Sequence, residues 1–310
     1  MIRPPKLVCV GSVVVDIAMK VPKLPEPGGD VVARSSMLAV GGAFNVMAAA
    51  RYQGISVSYA GGHGTGPFGD MVRSSLRAIG IEIIAPAVRS TDTGFTITFV
   101  VADGERTFAT APGAEAMLTR ETLDSIPISP PDLVYVSGYG LAYPGSGPVL
   151  AGWLSHLETG IAVVVDPGPL VAEIPPAVLQ AVAERCDWWT CNEREARLMT
   201  GSASPHDSIR RLAELAGREG VLVRLGRDGC LLLVRGQELQ HLPARSVEVV
   251  DTTGAGDAHT GSFMAALAYG AEPAEAAHRA NVAASIAVSR YGPATAPTSE
   301  ELRSALAGDR

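Results

Sequence analysis

The run Val249-Val250-Asp251-Thr252-Thr253-Gly254-Ala255-Gly256-Asp257-Ala258-His259-Thr260-Gly261 gathers the residue types best suited to chemistry in this chain. It reads as an extended lead, a Gly-Ala-Gly turn, and a helix continuing through Phe263, Met264, Leu267 and Ala268. Small residues at 254 to 256 let a ligand approach the backbone, and the first turn of a helix leaves amide N–H groups unpaired. Those amides and the helix dipole favour an anion there, such as a phosphate or a phosphoryl group in transfer. The carboxylate of Asp257 would face the same spot, placed to take a proton from an attacking hydroxyl. For an isolated G-x-G-D the plain alternative is a helix cap by Asp251 or Asp257 with glycines making the turn.

Other segments could serve the same chemistry. In Gly41-Gly42-Ala43-Phe44-Asn45, two glycines permit close backbone approach and Asn45 offers a donor and acceptors to hydroxyls. Standing alone, the segment is also consistent with a simple helix start. Asp16 follows Gly11-Ser12 at the end of an apolar run, where a carboxylate is costly unless paired, which suits a ligand or a cap. Asn192 and Glu195 lie three apart and share a face if helical. Magnesium takes oxygen ligands, keeps several waters and can be held through one carboxylate. A helix N-cap with surface charges would explain that pair equally well.

The elements that must position these groups alternate. Strand-like runs are Leu7–Val15, Ser56–Gly61, Asp132–Ser137, Ile161–Asp166, Asp187–Cys191, Gly220–Leu225 and Cys230–Val234. Amphipathic stretches lie between them at Ala43–Gln53, Phe68–Ile79, Gly147–Leu157, Pro176–Glu184 and Ser208–Glu219. Strands apolar on both faces and separated by helices predict an α/β fold, a parallel sheet covered on both sides. The last third turns helical at Ala255–Tyr269, Ala274–Arg290 and Ser299–Leu306. Two places break the pattern. Ile17–Val40 is extended and broken by Pro22, Pro25 and Pro27, and Gly94–Ala102 with Arg106–Thr110 reads as a hairpin around Asp103-Gly104. They predict one domain over 1–310 with a small β lid from about 16–40 and 93–110.

Composition excludes several classes. The chain has 310 residues, 47% hydrophobic and 18% charged, enough for a sizeable core. A net charge of −7 without a basic stripe argues against nucleic acid, and no run of about twenty apolar residues suggests a membrane. The N-terminus lacks the order of a signal peptide, and Cys9, Cys186, Cys191 and Cys230 lack metal-ligand spacing; both fit a reducing cytoplasm. Lys6, Lys20 and Lys23 are the only lysines, so a P-loop is excluded and any nucleotide must be met by amides, arginine or metal. Gly64-Thr65-Gly66-Pro67-Phe68-Gly69 matches the dinucleotide pattern G-x-G-x-x-G, yet Pro67 removes a donor and no acidic strand end follows at the right distance.

Asp251 to Asp257 matches, without a mismatch, the D-T-x-G-A-G-D signature of the ribokinase (PfkB) family, which the chain resembles from about residue 7 to 300. The resemblance implies a ribokinase-like three-layer α/β/α sandwich with a mostly parallel sheet and a β lid. It makes Asp257 the catalytic base, with Gly254, Ala255 and Gly256 forming the anion hole. Asp16, Gly41, Gly42 and Asn45 would bind the substrate. Asn192, Glu195, Arg224, Gly226, Gly229 and Asn281 would line the nucleotide site, with Glu195 holding Mg²⁺ through water. Asp251, Thr253, Arg290 and Gly292 stand where many relatives bind a monovalent cation such as K⁺. The implied activity is an ATP-dependent sugar kinase acting on a pentose or hexose, with a nucleoside kinase or a non-catalytic sugar or nucleotide sensor as alternatives. Dimerisation through exposed lid strands is a further expectation. Glu115 after Gly113-Ala114, the 64–69 segment without its usual acidic residue, and Ala296 depart from the family pattern.

Overall fold

The computed structural model describes residues 3–102 and 105–308. Its strands are β1 (Lys6–Cys9), β2 (Val13–Lys20), β3 (Ser35–Gly42), β4 (Ser56–Tyr59), β5 (Glu82–Ile83), β6 (Phe95–Val100) and β7 (Arg106–Ala111). They continue as β8 (Leu133–Ser137), β9 (Ala162–Asp166), β10 (Trp188–Asn192), β11 (Gly220–Arg224), β12 (Cys230–Val234) and β13 (Gln240–Leu242). The helices are α1 (Ala43–Tyr52), α2 (Pro67–Ala78), α3 (Arg120–Asp124), α4 (Gly138–Ala142), α5 (Gly147–Leu154) and α6 (Pro176–Arg185). After them come α7 (Glu193–Thr200), α8 (Pro205–Leu215), α9 (Ala255–Ala268), α10 (Pro273–Val288) and α11 (Ser299–Gly308).

The larger sheet runs in the order β13-β12-β11-β10-β9-β8-β1-β4-β5. It is parallel from β11 to β5, and β12 and β13 are antiparallel at one edge. Alternation along the buried strands divides the core between two faces. Leu7 and Cys9 pack with Met47, Phe263 and Ala280 of α1, α9 and α10, whereas Val8 and Val10 pack with Leu150, Val182 and Leu212 of α5, α6 and α8. The result is a three-layer α/β/α sandwich. A second, four-stranded sheet, β3-β2-β6-β7, stands apart from it.

One expected strand divides. The apolar run 7–15 is not a single strand: β1 stays in the large sheet and β2 starts the small one. Between them the Ser12 amide donates to Ser137 Oγ at 3.1 Å instead of to a ladder. A Cβ on Gly11 would meet Ala43 Cβ at 2.9 Å, so the chain turns where only glycine lets it pass. Hydrophobicity is high on both sides of this corner, and periodicity alone does not reveal it. The expected Asp103-Gly104 turn lies outside the described residues; the strands on either side pair antiparallel, Val100 opposite Arg106.

Helix α9 is buried nearly all round, as its weak amphipathicity requires. It crosses α1 at Gly261, where a Cβ would lie 2.4 Å from the Val46 carbonyl and 2.6 Å from Ala49 Cβ. Gly261→Ala should therefore cost about 1–3 kcal/mol through overpacking, read as a lowered urea midpoint. Gly152→Ala, in α5 with nothing within 4 Å of its Cβ position, is the matched control and should be neutral or slightly stabilising.

Candidate active site

Parallel strands end together on one side of the sheet, and the site is built on those ends. β8 finishes at Ser137, β9 at Asp166, β10 at Asn192 and β11 at Arg224, next to the point where β1 has β8 on one side and β4 on the other. A crevice at such a switch point is where open α/β sheets hold ligands. Two cavities open there, and both are lined by Arg224. One, of about 270 Å³, runs from Asp16, Gly42 and Asn45 to Gly254, Gly256 and Asp257, with Thr96 and Phe108 of the small sheet on its wall. The other, of about 390 Å³, is bounded by Asn192, Arg194, Arg197, Leu225 and Gly226.

Gly254 takes the N-cap of α9 in the left-handed region, φ 75°, and so aims the first turn of the helix at the cavity. The Ala255 N–H bends back to the Thr252 carbonyl at 3.3 Å, so the expected three-amide hole rests on Gly254 and Gly256. Asp257 sits in that first turn and receives the Asn45 side-chain amide at 3.0 Å. Burial pushes Asp257 up to about 6; Asn45 works against this, the negative field of Asp166 adds to it and Arg224 opposes it. The Asn45 Oδ1 is buried without a protein partner, which leaves an acceptor aimed at a ligand. Asp16, on β2 of the small sheet, is also raised to about 6, first by burial and then by the charge of Asp257. A Cβ on Gly41 would overlap Asp16 Oδ2 at 1.9 Å, so this glycine makes room for the carboxylate. Gly42, φ 63°, begins α1 against the Ser12 carbonyl and delivers Asn45 from its first turn.

Arg224 is the cation of the site. It reaches Asp166 at 3.0 Å and Glu195 at 3.7 Å, and donates to Thr190 Oγ1 at 2.6 Å and Thr260 Oγ1 at 3.0 Å. Asn192 and Glu195 form a capping box at the start of α7, with Glu195 Oε2 accepting the Asn192 N–H at 2.8 Å and Oε1 its side-chain amide at 2.8 Å. Burial, then the charge of Asp166, pushes the Glu195 carboxyl up, against Arg224. Asp166 and Glu195 thus share one guanidinium, whose field also reaches Asp257. The surplus negative charge suits a divalent cation arriving with phosphates. Among the described residues no group of three or more His, Cys, Asp and Glu side chains forms a metal cage, so such an ion would be held by few protein ligands.

Several expected ligands are placed differently. Asn281 is buried, with its amide donating to the Leu242 and Pro243 carbonyls at 2.9 and 3.3 Å and its oxygen 3.1 Å from His259 Nε2. Its polar atoms bind the chain to itself. A Cβ on Gly229 would strike the Leu242 carbonyl at 2.1 Å, so this glycine serves close packing against residues 242–244. Asp251, Thr253 and Gly292 do converge, with the Thr253 hydroxyl at 2.7 Å, the Thr253 N–H at 2.9 Å and the Gly292 N–H at 3.2 Å, all donating to Asp251. Arg106 of β7 completes the set at 2.8 Å. Burial opposes these donors, yet together they hold Asp251 down at about 2. The Arg290 side chain turns away to the Thr295 carbonyl and Glu301, at 3.2 and 2.6 Å.

Asp166 was not among the residues expected from the sequence, though its place at the end of an apolar strand was a usable signal. Tyr139 and Tyr143 line the sugar-sized cavity, while Phe44 is core. The G-x-G-x-x-G segment is occupied by its own chain: Asp92 accepts the Phe68 and Gly69 N–H groups at 2.9 and 2.8 Å at the start of α2. Glu115 likewise pins backbone, accepting the Gly94 and Gly113 N–H groups at 2.8 Å each.

A raised carboxyl and a helix N-terminus thus meet at the strand ends of an α/β sandwich, beside a separate β-sheet. The chain belongs to the pfkB family of carbohydrate kinases, whose family model matches residues 4–300. It is similar to an uncharacterized sugar kinase of Escherichia coli K12, YegV, at 32% identity over 297 residues, 94% of this chain and 91% of that protein. A ribokinase of Arabidopsis thaliana is 27% identical over 304 residues, 93% of this chain and 77% of that one. The crystal structure of ribokinase from Thermotoga maritima superposes at TM-score 0.84 with 25% identity, over 98% of this chain and 99% of that one. Arabidopsis ribokinase complexed with ribose and ATP shares the fold at TM-score 0.77 and 22% identity, covering 98% and 99% of the two chains. Ribokinase-family enzymes use ATP.

The titration of Asp257 gives a test with a definite sign. A carboxyl raised to about 6 can take a proton only when ionised, so if Asp257 serves as the base, kcat/KM should fall about tenfold per pH unit below that value and level off above it. Asn45→Ala removes the group that lowers this carboxyl, and the acid limb should move to higher pH. A limb that stays put in that variant assigns the ionisation to another group, Asp16 being the first alternative.

Proposed function

We propose that the chain transfers the γ-phosphoryl group of ATP to a hydroxyl of a neutral monosaccharide, a pentose or hexose. The observation that supports this best is Asp257 held by Asn45 in the first turn of α9, on the wall of a cavity that shares Arg224 with its neighbour. The sugar lies in the smaller cavity, with Asp16 and Asn45 binding its hydroxyls and Gly41 and Gly42 letting it approach the backbone. Asp257 orients the attacking hydroxyl and takes its proton. The N–H groups of Gly254 and Gly256 and the dipole of α9 stabilise charge on the transferring phosphoryl group. Arg224, Asn192 and Gly226 meet the nucleotide phosphates in the neighbouring cavity. Glu195 would hold Mg²⁺, which would supply neutralisation of the phosphate charge. The small sheet closes as a lid and excludes water, which limits hydrolysis of ATP.

Chemistry and size argue for a neutral, single-ring acceptor. The smaller cavity, about 270 Å³, is at or below the low end of ligand sites and is lined by carboxylates and hydroxyls. Its one cation, Arg224, is already shared by Asp166 and Glu195, so nothing is left to bind a sugar phosphate. A nucleoside acceptor is the second reading, favoured by Phe108, 62% exposed on the lid wall of the cavity, where a base could stack. The lid's edge strand β3 also carries exposed Met37 and Leu38, an edge that a second copy would cover. Among the described residues no helix is long and apolar enough to cross a membrane, and all four cysteines are free and buried, in keeping with a cytoplasmic enzyme.

ADP release should be measured with pentoses, hexoses, a sugar phosphate and nucleosides. A neutral sugar should be turned over, the sugar phosphate at least about a hundredfold less efficiently, and Asp257→Asn should lose at least about a hundredfold in kcat while still binding ATP. Near-normal turnover by Asp257→Asn would remove the base from this mechanism, and preference for a nucleoside would move the reading to the second acceptor.

A further inference from the structure

Lys20 on β2, Val100 on β6 and Arg106 on β7 form one row across the small sheet, so their side chains share a face. Both cations of this row reach over to the main body. Arg106 Nη2 donates to Asp251 Oδ1 at 2.8 Å, and Lys20 Nζ stands 5.5 Å from the centroid of the Tyr291 ring. Asp251 opens the loop that leads to Gly254 and Asp257, and Tyr291 lies beside Gly292, whose N–H bonds Asp251.

This pair of loops is where the family resemblance places a monovalent cation, and the residues do not fit one. The Asp251 carboxylate already receives Arg106, the Thr253 N–H and hydroxyl, and the Gly292 N–H. Three neighbouring carbonyls accept hydrogen bonds as well. Val288 accepts the Val250 and Asp251 N–H groups, Thr295 accepts Arg290, and Gly292 accepts the Thr295 hydroxyl. A second positive charge beside the guanidinium would be repelled by it.

We infer that Arg106 is a positioning residue that supplies from the lid the positive charge Asp251 needs, so that this kinase works without a monovalent cation. Because the charge rides on the lid, Asp251 is neutralised only when the lid is down. Lid closure and the order of the 251–254 loop are thereby one event, and Lys20 on Tyr291 grips the companion loop from the same row. The inference rests on the proposed kinase reading for its catalytic consequence, but the cation preference belongs to the protein itself.

The experiment compares chloride salts of potassium, sodium and choline at equal ionic strength. Wild-type melting temperature and kcat should not distinguish potassium from the other two. Arg106→Ala should lose at least about tenfold in kcat and recover severalfold with added potassium or millimolar guanidinium, while Arg106→Lys should keep most of the turnover. A merely structural contact would not be replaced by a free cation. Potassium-specific stabilisation or activation of the wild type overturns the inference. So does an Arg106→Ala variant that matches wild type in every salt, or one whose loss no cation restores. If no acceptor is phosphorylated, the kinase reading fails on its own. Melting of the ligand-free proteins then still decides, since only Arg106→Ala should gain stability specifically from potassium.

Discussion

Arg224 emerges from the end of β11 into a space where Asp166, Glu195, Asp257 and Asp16 all bring carboxylates, and it carries the only guanidinium among the residues that line the cavity with them. Burying that many acids around one cation is unfavourable on its own terms, and the fold shows the strain as carboxyls held above their ordinary range. A site in that condition is short of positive charge. A divalent cation would bring such charge, while a neutral sugar would bring none and would present hydroxyls that carboxylates can accept. Perturbed carboxyls of this kind are where catalytic acids and bases are commonly found.

Rigid and movable parts contribute differently to this arrangement. Arg224, Asp166 and Asn192 stand on strand ends of the large sheet, and Asp257 on a helix buried nearly all round, so their separations are set by close packing. Asp16 stands on the small sheet, whose base packs into the main core through Val13, Val15, Val40 and Phe95 and whose far end reaches the body through Arg106 and Lys20.

Helix N-termini illustrate how one structural device is used in two ways. At α9 the first-turn amides face a cavity, whereas at α2 the carboxylate of Asp92 already occupies the equivalent position. Both segments are glycine-rich and both precede a helix. What separates an anion site from a capped helix is a residue more than twenty positions away in the chain, and no local motif contains it.

The order of strands and helices was legible because buried parallel strands are written as short apolar runs and covering helices as periodic ones. The run from Asp251 to Asp257 was legible for a local reason too: a turn, a helix start and a carboxylate are set by neighbours in sequence. Where β1 gives way to β2 was hidden, since Leu7–Val15 is apolar on both sides of a corner imposed by Ala43 and Ser137. Asp166 entering the site, Asn281 and Gly229 turning inward to the chain, and Arg106 crossing to Asp251 were decided by tertiary structure alone. Each depends on which side chain stands opposite across a sheet or a cleft. Sequence by itself determined the local shapes and the chemical types; the folded chain decided which charges face one another, because electrostatic partners are chosen by distance in space.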